Sequence, residues 1–83
     1  MRQRPSPDTV ILDPPRTGMT KEALRGVVTL KARQIVYVSC DVATFARDAR
    51  TLVDAGYSLR QLDAFDLFPN TPHVESVGRF ERR

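Results

Sequence analysis

The chain has 83 residues, of which 41% are hydrophobic and 28% are charged, with a formal net charge of +3. This composition is typical of one small folded domain and excludes a wholly disordered chain, and the mild basic excess favours nucleic acid over acidic partners without establishing it. A single cysteine, Cys40, excludes an internal disulfide and a thiolate metal site, and no apolar run approaches the roughly 20 residues that cross a bilayer. The first residues lack the apolar stretch of a signal peptide, so we expect a cytoplasmic protein. From the single cysteine we expect no metal ion.

The first predicted elements are a strand and a helix. Residues 9–12 form a short apolar run that stops at Asp13 and two prolines, which favours a buried strand with Asp13 at its carboxyl end. Thr20 precedes a segment with hydrophobic residues at helical spacing and is therefore the predicted N-cap of a helix, which Gly26 weakens.

The next two elements are the clearest in the sequence. Residues 34–40 are nearly all β-branched or aromatic, and the lack of alternation predicts a strand covered on both faces, ending at Cys40. From Ala43 to Ala55 the hydrophobic residues recur three and four positions apart, which predicts a helix followed by Gly56. Its charged residues, Asp48 among them, are assigned to the opposite face.

Two further strands are predicted at residues 57–67 and 73–80, with a turn or loop at 68–72. The order of elements indicates an α/β sheet with parallel pairing, and the short link before the last strand favours an antiparallel return. No glycine-rich turn of the kind that holds an adenosyl ligand occurs in the chain. We therefore interpret the chain as a sheet without its beginning, and we expect the isolated chain to self-associate through the exposed edge of its first strand.

Two polar clusters follow predicted strands and should meet at one edge of the sheet, where open α/β sheets bind ligands. The first begins at Asp13 and the second contains Cys40. Taken alone, a carboxylate before two prolines is as often a turn cap, and a free cysteine is usually a small buried hydrophobe. These residues by themselves leave a functional and a structural role open.

Three sequence blocks resemble those of the RNA uridine-5-methyltransferases, in that family's order, and together they span most of the chain. They are Asp13-Pro14-Pro15-Arg16-Thr17-Gly18, then Tyr37-Val38-Ser39-Cys40 running into Ala43-Thr44, and Phe68-Pro69-Asn70-Thr71-Pro72-His73-Val74-Glu75. The resemblance implies the C-terminal half of a Rossmann-like class I methyltransferase sheet dependent on S-adenosylmethionine. Residues 1–83 would be the C-terminal portion of the catalytic domain, without the cofactor-binding half and the RNA-binding domain.

The resemblance also implies a role for each site residue. Cys40 would add to uracil C6 so that C5 can attack the methyl group of S-adenosylmethionine, and Glu75 would then remove the C5 proton as a general base. Asp13 would contact the cofactor, and His73 and Arg16 would orient the substrate. That substrate would be an unpaired or flipped uridine in ribosomal or transfer RNA, since both kinds of enzyme share the blocks.

One departure from the family pattern and three alternatives accompany this interpretation. Asp41-Val42 replaces the usual Asn-Pro after the cysteine and affects the geometry of the loop. Methylation of an exocyclic amine would need an aromatic residue where Arg16 stands, and a cysteine hydrolase would pair Cys40 with His73. The third alternative is a non-catalytic folded fragment or interaction module, and we expect the isolated chain to be inactive.

Overall fold

The computed structural model describes residues 8–65 and 75–83, and within these ranges the chain folds as an α/β sheet with two helices. The elements in chain order are β1 (Thr9–Leu12), α1 (Lys21–Thr29), β2 (Gln34–Ser39), α2 (Val42–Asp54), β3 (Tyr57–Phe65) and β4 (Glu75–Arg82). The strands lie side by side in the order β1-β2-β4-β3. The predicted α/β class and the predicted order of elements are therefore confirmed for the part of the chain that is described.

The pairing of the strands brings the ends of β1, β2 and β4 to one edge of the sheet, with the carboxyl end of β3 beside them. β1 runs parallel to β2, with Leu12 opposite Tyr37 in the last pair. β4 runs antiparallel to both β2 and β3. The carboxyl ends of β1 and β2 therefore meet the amino end of β4, at the edge marked by Asp13, Cys40 and Glu75, which we call the site edge.

Local signals explain where both helices begin and where α2 ends. The Thr20 hydroxyl accepts a hydrogen bond from the backbone N–H of Ala23 at 3.1 Å, which confirms Thr20 as the N-cap of α1. The Asp41 carboxylate caps α2 in the same way, so this helix begins and ends one residue earlier than the predicted span. Gly56 follows α2 with φ +110°, a conformation that glycine adopts readily.

Both helices pack on one face of the sheet and share a single hydrophobic core. Phe45 of α2 lies edge-to-face against Tyr37 of β2, with ring centroids 5.4 Å apart, and it also packs against Phe80 of β4. Gly78 makes room for this ring, because a Cβ atom there would lie 2.6 Å from Phe45 Cζ. Phe65, near the end of β3, is by contrast 48% exposed.

Strand β2 differs from its prediction. Ile35, Tyr37 and Ser39 are buried, whereas Gln34, Val36 and Val38, which alternate with them, are only half-buried. The prediction that both faces are covered is wrong for the described residues, because α1 and α2 contribute their buried side chains to the same core. A run of β-branched residues favours a strand but does not report which face is covered.

Strand β1 lies at the end of the described sheet. It pairs with β2 alone among the described strands, and the side chain of Ile11 is 71% exposed. Self-association through this strand stays a prediction. Within residues 8–65 and 75–83, none of the helices has the length and apolar character needed to cross a membrane.

Candidate active site at one edge of the sheet

Cys40 and Glu75 lie side by side at the site edge because of the register between β2 and β4. Ser39 and Ser76 form the last pair of this ladder, Cys40 comes directly after Ser39, and Glu75 comes directly before Ser76. Both serines are buried while Cys40 and Glu75 are half-buried, so strand alternation directs the latter two away from the core. Neighbouring strands are about 4.8 Å apart, which is close enough for a thiol and a carboxylate to contact one small planar ring.

The turn that carries Cys40 is fixed by hydrogen bonds on both sides of it. The Ser39 hydroxyl donates to the Asp41 carbonyl at 2.8 Å and accepts from the Asp41 N–H at 3.1 Å. The Asp41 carboxylate accepts from the Thr44 N–H at 2.9 Å. This backbone hydrogen bond, assisted by the charge of Arg16, lowers the pKa of Asp41. Aspartate is as good an N-cap as asparagine, so the replacement at this position preserves the start of α2.

Asp13 and Arg16 lie in the loop that leaves β1 at the same edge. Since Leu12 pairs with Tyr37, the next residue, Asp13, lies level with Val38, two positions before Cys40. Asp13 is exposed and borders an open depression of about 380 Å³ formed by β1, the two prolines and the start of α1. Arg16 is exposed too, and its charge acts on Asp41, next to the cysteine.

Asp48 of α2 is a buried carboxylate that joins this loop to β2. It is 1% exposed, and its Oδ2 atom accepts hydrogen bonds from the Met19 N–H at 2.9 Å and from the Tyr37 hydroxyl at 2.5 Å. Oδ1 accepts from Arg47 Nε at 3.2 Å. Burial raises the pKa of Tyr37, and the hydrogen bond and charge of Asp48 raise it further, so the hydroxyl stays protonated and donates.

The prediction that Asp48 lies on the polar face of α2 is therefore wrong. Three donors satisfy its carboxylate, which makes a buried charge tolerable. The sequence did carry a signal, because Asp48 stands three residues after Phe45 and four before Leu52, which are both buried. Positions with that spacing share one face of a helix.

Two further side chains of α2 hold the carbonyl groups of the loop. Thr44 Oγ1 donates to the carbonyl of Arg16 at 3.1 Å, and Arg47 Nη2 donates to the carbonyls of Thr17 at 3.0 Å and Met19 at 3.3 Å. Together with Asp48 these residues form what we call the loop clamp (Thr44, Arg47 and Asp48). None of the three was assigned a contact with this loop from the sequence.

Gly18 lies in the loop where it packs closely against the clamp. Its φ of +82° favours glycine, and its N–H closes a turn with the Pro15 carbonyl at 2.8 Å. A Cβ atom at Gly18 would lie 2.9 Å from Asp48 Oδ2. The glycine of the first block is thus required both by the backbone conformation and by the contact with α2.

The structure brings most of the predicted site residues together. Asp13, Arg16, Cys40 and Glu75 all lie at or beside the site edge. His73 lies outside the described residues, so its predicted role in orienting substrate is untested. The alternative of a cysteine hydrolase, in which His73 would pair with Cys40, is untested for the same reason.

Known sequences are similar to this chain over nearly its whole length. The profile of the tRNA (Uracil-5-)-methyltransferase family matches residues 4–83. The 23S rRNA (uracil(1939)-C(5))-methyltransferase RlmD of Pseudomonas putida is 53% identical over 72 residues, which are 87% of this chain and 16% of that protein. An uncharacterized RNA methyltransferase of Caldanaerobacter subterraneus is 47% identical over 76 residues, which are 92% and 17% of the two chains.

A solved structure shares the fold as well. The crystal structure of Pyrococcus abyssi tRNA (uracil-54, C5)-methyltransferase in complex with S-adenosyl-L-homocysteine superimposes with a TM-score of 0.79 at 45% sequence identity. The match covers 88% of this chain and 18% of that one, so the chain spans less than a fifth of the length of these relatives. Since the family profile covers almost every residue, the chain belongs to the tRNA (uracil-5-)-methyltransferase family.

Proposed function

We propose that residues 1–83 form the C-terminal portion of the catalytic domain of an RNA (uracil-5-)-methyltransferase that uses S-adenosylmethionine. Its sheet would be the C-terminal half of a Rossmann-like class I fold, with the cofactor-binding half and an RNA-binding domain outside these residues. Family membership and the strand order β1-β2-β4-β3 support the proposal. The observation that carries it is the register that sets Cys40 beside Glu75.

Cys40 is the proposed nucleophile. Uracil C5 is a poor nucleophile, and a thiolate that adds to C6 forms an S–C6 bond and converts the ring into an enolate whose C5 can attack an electrophile. S-adenosylmethionine, when bound, supplies the electrophilic methyl group. The turn held by Ser39 and Asp41 fixes the backbone around the thiol, and the start of α2 places a partial positive charge nearby.

Glu75 is the proposed general base. After methylation, its carboxylate would take the proton from C5, and the electron pair of that C–H bond would re-form the C5–C6 double bond. The S–C6 bond breaks as that double bond forms, and its electron pair leaves with the thiolate of Cys40. A carboxylate on the strand next to the thiol, directed to the same face of the sheet, suits this sequence of steps.

Asp13 is the proposed cofactor contact. An exposed carboxylate at the carboxyl end of a strand, beside an open depression, fits the hydroxyl and ammonium donors of S-adenosylmethionine. The 83 residues contain no glycine-rich turn for the rest of that ligand, so we expect the chain alone to be inactive. Arg16 and His73 would orient the RNA.

The proposed target is C5 of a uridine in RNA. One relative is named for ribosomal RNA and one for transfer RNA, and both match the same segment. Since C6 is shielded inside a stacked helix, the uridine would be unpaired or flipped out when Cys40 attacks.

The proposal is tested in the full-length protein that contains this segment, with a labelled methyl donor and a uridine-containing RNA. Cys40→Ala should abolish methyl transfer and leave cofactor affinity unchanged, whereas Glu75→Gln should accumulate a covalent protein–RNA adduct that survives denaturing electrophoresis. Glu81→Gln is the matched control, because Glu81 lies on the same strand at the end remote from Cys40. Asp13→Ala should weaken cofactor binding. Full activity of Cys40→Ala would refute the mechanism.

A further inference from the structure

The two halves of the proposed site belong to separate segments of the chain. Asp13 and Arg16 lie in the loop after β1, whereas Cys40 follows β2. A covalent reaction needs these groups held in one geometry, and a displacement of about 1 Å can slow an enzyme by about a hundredfold. Something in the fold must therefore fix the loop relative to the strand.

We propose that Tyr37 and Asp48 form a buried positioning pair that fixes the loop carrying Asp13 and Arg16 against the strand carrying Cys40. The inference rests on the proposed function and adds residues to it that touch no substrate. A single oxygen, Asp48 Oδ2, accepts both from the Tyr37 hydroxyl on β2 and from the Met19 N–H at the end of the loop.

The burial of the pair shows that it acts through other residues. Tyr37 is fully buried and Asp48 nearly so, and no buried side-chain polar atom in the described part of the chain lacks a hydrogen-bond partner. Tyr37 lies on β2, three residues before Cys40, which directly follows that strand, and Met19 lies at the end of the loop that carries Asp13 and Arg16. The two partners of Asp48 Oδ2 therefore belong one to each half of the site.

The surrounding contacts agree with this role. Thr44 and Arg47 bind carbonyl groups of the same loop, and Asp41 starts the same helix directly after Cys40. Helix α2 thus contacts both halves, and Asp48 is its buried link to both. The raised pKa of Tyr37 keeps the hydroxyl in the donating form throughout the physiological range.

The structure supplies a matched control for the tyrosine. Tyr57 is also buried, and its hydroxyl donates to the Ala32 carbonyl at 2.6 Å, at the other end of the sheet. Tyr37→Phe and Tyr57→Phe each remove one buried hydroxyl and one hydrogen bond while keeping the ring. Both variants should therefore lower stability, and Tyr37→Phe somewhat more, because its hydroxyl donates to a charged carboxylate.

The test compares these variants in the full-length protein, by thermal unfolding and by steady-state methylation of a uridine-containing RNA. We expect a lower unfolding midpoint for both variants, but a fall in kcat of about tenfold or more at temperatures well below both midpoints for Tyr37→Phe alone, with little change in the KM for RNA. A wild-type kcat for Tyr37→Phe, or equal losses for both variants, would overturn the inference.

A double variant tests whether the two residues act as one unit. Since the Tyr37 hydroxyl acts through Asp48, the loss of kcat in Tyr37→Phe combined with Asp48→Asn should be smaller than the product of the two single losses, and losses that multiply would contradict the pairing. Cys40→Ala separates the two proposals. If it is inactive and Tyr37→Phe is unaffected, only the positioning pair is wrong, whereas an active Cys40→Ala removes the proposed function itself.

Discussion

Asp48 and Asp54 stand on the same helix but lie in different environments. Asp48 is 1% exposed and accepts three hydrogen bonds, whereas the side chain of Asp54 is 64% exposed and pairs with Arg50 at 3.3 Å. Replacement of either residue by alanine removes the same atoms and changes helix propensity in the same direction. The two substitutions therefore isolate the effect of the buried contacts.

The magnitude follows from the groups that lose their acceptor. Asp48→Ala leaves the Met19 N–H and the Tyr37 hydroxyl without a partner in a buried region, at about 1–3 kcal/mol each, so the expected loss is about 2–6 kcal/mol. A chain of 83 residues has a free energy of unfolding of about 4–12 kcal/mol. An exposed helical ion pair such as Arg50–Asp54 contributes only about 0.3–0.5 kcal/mol.

The assay is urea unfolding of the 83-residue chain, followed by far-ultraviolet circular dichroism. Asp54→Ala should unfold near the wild-type midpoint, and Asp48→Ala should have a much lower midpoint or no folded baseline. Asp48→Asn keeps one oxygen acceptor and should fall between them. If Asp48→Ala and Asp54→Ala unfolded at the same urea concentration, the buried carboxylate would contribute nothing to stability and the argument would be refuted.

Further predictions concern two glycines and one acid. Gly18→Ala should destabilise the chain, because φ is +82° and the new Cβ would lie 2.9 Å from Asp48 Oδ2. Gly26 of α1 has open space around it, so Gly26→Ala should raise the free energy of unfolding, measured in urea, by about 0.5–1 kcal/mol. The hydrogen bond from Arg79 lowers the pKa of Glu81 below its usual 4.5. The ionised Glu81 carboxylate therefore stabilises the fold fully above pH 4.5, and this stabilisation is lost as the pH falls through the pKa that Glu81 has in the folded chain. The difference in urea midpoint between wild type and Glu81→Gln should therefore narrow below pH 4.5, and a constant difference would contradict this.

Local signals in the sequence predicted the elements of the fold well. Thr20 caps α1 as expected, because an N-cap depends on a side chain and backbone groups within one turn. The breaks at Asp13 and Cys40 also fall at the ends of strands, since prolines and polar residues interrupt a strand locally. These features need no knowledge of distant residues.

The missed features depend on contacts between distant segments. Asp48 was assigned to solvent because a charge was judged without its partners, and its donors, Met19 and Tyr37, are 29 and 11 residues away. The family resemblance implied that Cys40 and Glu75 share one site, but periodicity alone could not bring them together, because many registers satisfy the same alternation. The spacing of Asp48 from Phe45 and Leu52 indicated the buried face of α2, but its charge was taken to mean exposure. A carboxylate can be buried when several donors bind it.

Strand alternation explains why the tyrosine and the cysteine of the second block must be an odd number of residues apart. Tyr37 and Ser39 point to the core, where one meets Asp48 and the other holds the turn at Asp41, while Cys40 follows on the opposite side. One residue inserted between Tyr37 and Cys40 would direct the thiol toward the core or pull the hydroxyl away from Asp48. The spacing is therefore set by two requirements on opposite faces of one strand, which are a buried hydrogen bond to Asp48 inside and the proposed nucleophile outside.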